Sequence, residues 1–347
     1  LPFAPFVTTF VAFVMLPFAP FVTTFVAFVM LPFAPFLITF VTFVMTFVRF
    51  VIAIRNPRSV RVALRDKQIA IIGLGLMGGS LAAALKAAHA CREVLGVVRR
   101  SEAASLALRL GLVDRSATEI SSIAEADVVI LATPVRAIVE LLPAVGRLAK
   151  QGCLVMDLGS TKACIAEVMA ALPPHVQPLG GHPMCGKEKS GIEAADPAIY
   201  RSATFILSPL KRTSEEALAL GHAIARAVGS NPLVIEAARQ DYLVATLSHL
   251  PYMLACSLVS TADATTSHDP LAWQIVAGGY RDTSRVAGSD VTMMLDILLT
   301  NREEVSKALN TCIAHMSDLA RLVQEGDEAA LRHRLSVIRD KRKEMFP

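Results

Sequence analysis

His182 stands inside Gly180-Gly181-His182-Pro183-Met184-Cys185-Gly186, about a hundred residues after a glycine-rich fingerprint at Gly73. The framing reads as a loop that presents the imidazole. Glycine lets backbone approach a ligand, proline stiffens the turn, and an imidazole with an ordinary pKa near ~6.5 exchanges a proton at working pH. A solvent-facing histidine in a Gly-rich turn is the bland alternative. Two further polar clusters sit in apolar surroundings, Ser248-His249-Leu250-Pro251 and Gly278-Gly279-Tyr280-Arg281-Asp282-Thr283-Ser284-Arg285. A histidine before Leu-Pro on an apolar helix is, by itself, more often structural than catalytic.

The elements that must position these groups begin with a short apolar strand over 68–72, then Gly73-Leu74-Gly75-Leu76-Met77-Gly78, then an Ala/Leu-rich helix. Gly73 permits the tight turn, Gly75 lets backbone reach a pyrophosphate, and Gly78 allows close helix packing. Leu76 and Met77 open the helix whose N-terminus supplies positive potential. A second strand over 93–98 ends where NAD-binding chains usually carry an acidic residue for the ribose hydroxyls. Here Arg99, Arg100 and Ser101 follow. Guanidinium groups can pair with a 2′-phosphate, so NADP is expected over NAD, with plain exposed arginines as the alternative. Strands over 127–132 and 153–157 flank a helix over 135–149, a doubly wound α/β pattern. Thr133-Pro134 and Gly159-Ser160 fall at C-terminal strand ends, where open α/β sheets bind ligands.

The front of the chain has another character. LPFAPFVTTFVAFVM at residues 1–15 recurs identically at 16–30 and, changed at Leu37, Ile38 and Thr42, at 31–45, with no charge before Arg49. All of the 16 Phe except Phe205 and Phe346 precede residue 51. The run is long enough to cross a bilayer, which takes about 20 residues. Recurrent prolines and the perfect copying favour an incidental extension instead, with the working protein expected to start between Met45 and Val62. Membrane contact is expected only if the repeat is a genuine part of the protein. No signal peptide is expected.

After about Glu236 strand signals stop and helical periodicity takes over, through 241–262, 291–299 and 302–324. The expected layout is therefore residues 1–65 as repeat and basic linker, 66–236 as a Rossmann-type doubly wound dinucleotide-binding domain, and 237–347 as a mainly α-helical substrate and dimerisation domain. The net charge of +4 is modest, and the basic clusters at 55–67 and 339–343 lack interleaved aromatics, so no nucleic-acid partner is expected. Six cysteines without a CxxC pair fit a reducing cytoplasm and argue against a metal site. Cys185 reads as a small apolar filler.

The fingerprint, Asp157-Leu158-Gly159-Ser160-Thr161-Lys162, Gly181-His182-Pro183-Met184 with Gly186-Lys187-Glu188-Lys189-Ser190-Gly191, Ser248-His249-Leu250-Pro251 and Arg281-Asp282-Thr283-Ser284-Arg285 stand in one order. In that order and spacing, over roughly residues 68–343, the chain resembles the prephenate/arogenate dehydrogenases. The resemblance implies a cyclohexadiene substrate with a hydroxyl at C4 and a carboxylate at C1. Hydride leaves C4, CO2 leaves C1, and the ring becomes aromatic. It further implies that His182 hydrogen-bonds and deprotonates the C4 hydroxyl and that Ser160 helps orient it. Arg285 is the first choice for a substrate carboxylate, with His249 lining the pocket. Arg281, Lys187 and Lys189 are candidates for a second carboxylate or for ion pairs, and Glu188 for a gating contact. Glu193 is a weak candidate for the group that separates a keto from an amino side chain. A homodimer is expected, as is the absence of a regulatory or mutase domain after the helical part. Tyrosine feedback would then act at the active site. The alternatives are another NADP-linked dehydrogenase of the β-hydroxyacid type and a non-catalytic, membrane-tethered nucleotide-binding protein.

Overall fold

Runs of Val, Ile, Leu and Ala long enough for a strand and too short for a helix set the frame. The computed structural model describes residues 64–346 apart from Glu188; the tandem repeat, the expected start of the working protein and the gating candidate Glu188 lie outside the described residues. In chain order the strands are β1 (Gln68–Ile72), β2 (Glu93–Val97), β3 (Arg115–Ala117), β4 (Val128–Leu131), β5 (Leu154–Asp157), β6 (Gln177–Pro183), β7 (Thr204–Pro209) and β8 (Asn231–Val234). Between them run α1 (Leu76–Ala87), α2 (Ser101–Arg109), α3 (Val135–Leu148), α4 (Ala163–Ala170) and α5 (Glu215–Ala227). The strands form one sheet in the order β3-β2-β1-β4-β5-β6-β7-β8. Pairing is parallel from β3 to β6, antiparallel between β6 and β7, and parallel again to β8. Every residue of β1, β4 and β5 is buried, as strands covered by helices on both faces must be. The doubly wound reading holds.

The segment expected as a loop around His182 is instead the end of β6. Gly180 lies opposite Ser208, Gly181 opposite Leu207 and His182 opposite Ile206 on β7. Gly and Pro are depleted in strands, and that disguised it.

The helical segment comprises α6 (Ala237–Val244), a π turn over Ala245–His249, α7 (Leu250–Thr266), α8 (Gly278–Ser284), a 3-10 turn over Arg285–Gly288, α9 (Val291–Thr300), α10 (Arg302–Glu325) and α11 (Glu328–Met345). The single helix expected over 241–262 starts earlier and is widened in the middle. Pro251 has no N–H to give the carbonyl one turn back, and Leu250 N bonds Ala245 O across the wider turn.

Three contacts seat these helices on the C-terminal ends of β4 and β5. Asp241 of α6 accepts from Lys162 N at 2.7 Å and Ala163 N at 2.8 Å, capping the first turn of α4. Asp296 of α9 accepts from Arg136 N at 2.9 Å at the start of α3 and pairs with the same arginine's Nε. The hydroxyls of Thr161 and Thr300 meet at 2.7 Å. Replacing Asp241 by Ala leaves the buried Lys162 N–H and the more open Ala163 N–H without their acceptor, so Asp241→Ala should lose roughly 1–3 kcal/mol of stability. A urea midpoint equal to that of the unaltered chain would contradict this seating.

Candidate active site

The C-terminal end of β5 carries a charged pair out of water. Asp157 is fully buried and Lys162 is 1% exposed, and the ammonium rests on the Asp157 carboxylate. That carboxylate also accepts from Gly159 N at 2.7 Å and Gly181 N at 3.3 Å. Burial pushes the Asp157 carboxyl up, against the pull of the Lys162 ammonium and the two amides. The neighbouring glycines make room for the pair. A Cβ on Gly159 would stand 3.0 Å from Asp157 Oδ2, one on Gly180 3.3 Å from Lys162 Cδ, and one on Gly181 2.5 Å from Asp157 O. Gly180 and Gly181 also lie close against neighbours outside the pair, Ser208 at 3.1 Å and Met156 Cε at 2.5 Å from such a Cβ, so tight packing within the sheet requires both.

His182, at the end of β6, is 9% exposed, and its Nδ1 has no hydrogen-bond partner among the described residues. Burial first, then the Lys162 ammonium and His249, push its pKa down to about 3. The imidazole is thus neutral across the whole physiological range, well away from the ordinary value expected of a loop histidine. His249 closes the π turn and is buried, its pKa pushed down to about 4 by burial. Asn301 Nδ2 donates to Asp241 O at 2.9 Å, which fixes the amide's orientation, and lies 3.4 Å from His249 Nδ1. With Nδ1 accepting, the hydrogen of the neutral ring is on Nε2, as a donor. Ser160 follows β5, half-buried, with its carbonyl receiving Gln240 Nε2 at 3.2 Å.

At the fingerprint the three glycines separate by role. Gly73 has φ +95°, and a Cβ there would meet Thr133 Cγ2 at 2.8 Å; on Gly78 it would lie 1.9 Å from Gly73 O. On Gly75 it would meet nothing within 4 Å, which leaves the space over the turn open to a ligand. The α1 N-terminus has no side-chain cap and no acidic residue in its first turn. Thr133 Oγ1, beside Gly73, is buried without a partner among the described residues, and Pro134 caps α3. These features fit a bound dinucleotide. Arg99 and Arg100 are exposed after β2, and Ser101 Oγ donates to Glu102 Oε1 at 3.3 Å. The connection from β6 to β7 is pinned to α1, with Tyr200 OH donating to Met77 O at 3.0 Å and Asp196 N to Ser80 Oγ at 2.8 Å.

Other candidates fall outside this cluster. Lys187 pairs with Asp196 at 2.7 Å on the surface, so the ion-pair option expected for it is the one found. Lys189 and Glu193 are exposed, and so is Arg281 on α8. Arg285 is exposed at the start of the 3-10 turn that packs on α7, the helix entered from His249. Burial pushes the Cys185 thiol up to about 11, leaving it protonated and unsuited to act as a nucleophile. Asp241 and Asn301, which hold the site together, belong to no recognisable motif, and nothing in the type or spacing of the Asp157–Lys162 motif marks Lys162 as buried.

With the geometry in view, the comparisons with known proteins agree along the chain. Residues 81–232 match the family model for the prephenate dehydrogenase nucleotide-binding domain, and residues 236–337 match that for the prephenate dehydrogenase dimerization domain. A prephenate dehydrogenase of Lactococcus lactis is 34% identical over 270 residues, 77% of this chain and 74% of that one. A cyclohexadienyl dehydrogenase of Zymomonas mobilis is 32% identical over 269 residues, 75% of this chain and 90% of that one. The crystal structure of a prephenate dehydrogenase from A. aeolicus in complex with hydroxyphenyl propionate and NAD+ superposes with a TM-score of 0.76 at 30% identity, covering 81% of this chain and 99% of that one.

The two buried histidines make stability depend on pH. Their folded pKa values, about 3 and about 4, lie below that of an unfolded histidine, near ~6.5, so the unfolded chain binds more protons between those limits. Their contribution is complete above about pH 6.5 and is lost as pH falls toward 4. The urea midpoint should therefore drop from pH 6.5 to 4, and drop less steeply in His182→Asn; equal slopes for the two proteins would contradict the buried, neutral state of His182.

Proposed function

The chain belongs to the prephenate dehydrogenase family, and from that premise we propose that its cleft performs the NAD(P)-linked oxidative decarboxylation of prephenate, arogenate or both, a step of tyrosine biosynthesis. The observation that carries the reading is His182. It is a buried, neutral imidazole whose Nδ1 has no partner among the described residues, on the side of the sheet where the fingerprint strand also ends.

The residues at hand divide the work. Gly73, Gly75, Leu76, Met77 and Gly78 would hold a pyrophosphate on the α1 N-terminus, with Thr133 and Pro134 alongside and Arg99, Arg100 and Ser101 at the adenosine end. A nicotinamide dinucleotide, when bound, supplies the hydride acceptor. His182, neutral, takes the proton of the C4 hydroxyl as C4 gives up its hydride and the oxygen becomes carbonyl-like. The C1–carboxylate bond then breaks, its electron pair enters the ring, and CO2 departs. The aromatic oxyanion takes back a proton from His182, so protons and electrons balance. Ser160 orients the hydroxyl. His249 offers its Nε2 hydrogen from the helical side, and Arg285 pairs with a substrate carboxylate, with Arg281 as a second cation. Glu188 is retained only as a gating candidate from its motif.

The helical segment also supports a homodimer. Apolar side chains crowd its surface, among them Leu247 at 73% and Ile275 at 81% exposure. Residues 237–266 form a helical run long and apolar enough to cross a membrane. It carries buried Asp241 and His249, however, and reads better as part of a subunit interface. The free cysteines suit the cytoplasm.

Reduced dinucleotide should appear at 340 nm on adding prephenate or arogenate, and no turnover with either would reject the proposal. We expect NADP to give the higher kcat/KM because Arg99 and Arg100 follow β2; a clear NAD preference would refute that part. His182→Asn should cut kcat by about 10²-fold with cofactor binding intact, whereas Arg285→Ala should chiefly raise KM. Near-normal turnover in the first variant, or an unchanged KM in the second, would remove that residue from its role.

A further inference from the structure

The reaction as drawn makes no use of Lys162, although it is the one fully buried lysine or arginine among the described residues. Taking an ammonium out of water is costly, and a buried ion pair can often be replaced by apolar side chains with no loss of stability. Stability alone is therefore a poor reason for this pair. Its contacts suggest a better one. The Asp157 carboxylate that Lys162 anchors accepts from Gly159 N and Gly181 N, the residues immediately before Ser160 and His182. The backbone N–H of Lys162 itself binds Asp241, whose carbonyl receives the Asn301 amide that faces His249. The ion pair thus stands behind two residues of the site, and the lysine's own backbone behind a third.

We propose that Lys162, ion-paired to Asp157, is a positioning residue for this reaction: it fixes the backbone beside Ser160 and His182 and places a permanent positive charge near the His182 imidazole. The inference rests on the function proposed above. Lys162 acts on His182 from the β5–α4 side and His249 from the π turn, Asp157 holds the backbone N–H of the preceding Gly181, and the cross-strand neighbour on β7 is the apolar Ile206. A charge so placed repels a proton on the resting imidazole, so His182 enters each cycle as a base. The proton it accepts from the hydroxyl is held next to an ammonium and is readily returned to the product oxygen. Asp157 balances the lysine without facing the ring as its main partner.

The test uses the full chain and the double variant Lys162→Met/Asp157→Asn, which removes both charges together and keeps an amide oxygen for one of the two backbone amides, Gly159 N on Oδ2 or Gly181 N on Oδ1. Histidine 13Cε1 resonances are followed from pH 4 to 8, with His182 assigned from the His182→Asn spectrum, alongside the pH profile of kcat/KM. The unaltered chain should show no protonation of His182 above about pH 4.5. In the double variant its midpoint should rise by about one pH unit or more, the acid limb of kcat/KM should rise with it, and kcat should fall about tenfold. A folded double variant with the His182 midpoint and the acid limb unmoved would overturn the proposal. Lys162→Gln, read in the same way, decides the matter if the double variant does not fold. The resonance shift is seen whether or not prephenate or arogenate is turned over, so failure of the functional reading and failure of this one are separable.

Discussion

An ammonium buried at the end of a strand in the parallel part of this sheet must be given a counter-charge and space, and the C-terminal ends of those strands are arranged around that requirement. Asp157 supplies the charge. Gly159, Gly180 and Gly181 supply the space, because a side chain at any of them would press on the pair or on its backbone. Asp241, reaching over from the helical segment, ties down the amides where the lysine's own helix begins. The effective penalty for burying an ion is several kcal/mol even after relaxation, so these partners cannot be dispensed with singly. They join the fold of the sheet to the placement of the helices.

From that constraint the placement of the helices follows. Helices that meet the sheet through Asp241, Asp296 and Thr300 necessarily cover the C-terminal strand ends, where α/β sheets bind their ligands. The arrangement brings a histidine of the helical segment, His249, into the electrostatic surroundings of a histidine of the sheet, His182. Both rings are kept neutral by burial. The neutral ring is the form of an imidazole that can accept a proton. The connection from β6 to β7 adds a link of another kind, since Tyr200 and Asp196 fasten the segment after His182 to the helix of the glycine fingerprint.

Much of this was legible in residue order. Strands β1, β2, β4 and β5 are short apolar runs bounded by turn residues, and such runs announce themselves. Strand β6 did not, because its Gly-Gly and Pro are the residues that strands avoid, and the close neighbours that require the glycines, Ser208, Met156 and the Asp157 backbone, come from adjoining strands. Lysine is the side chain least expected in a core, so the burial of Lys162 could not be read from its motif. Asp241 and Asn301 escaped for a related reason. Their partners stand 79 and 60 positions away, a contact that no local pattern encodes. His182 was legible from the glycines beside it, which the structure places in a closely packed strand rather than a loop.

The most direct measurement of the central claim is the stoichiometry of a single reaction. With a substrate labelled at the C1 carboxylate, the released CO2, the reduced dinucleotide and the aromatic product are counted together. A base at His182 acting on a C4 hydroxyl, followed by loss of the carboxylate, predicts equal amounts of all three. Reduced dinucleotide formed without CO2, leaving a non-aromatic ketone, would contradict it.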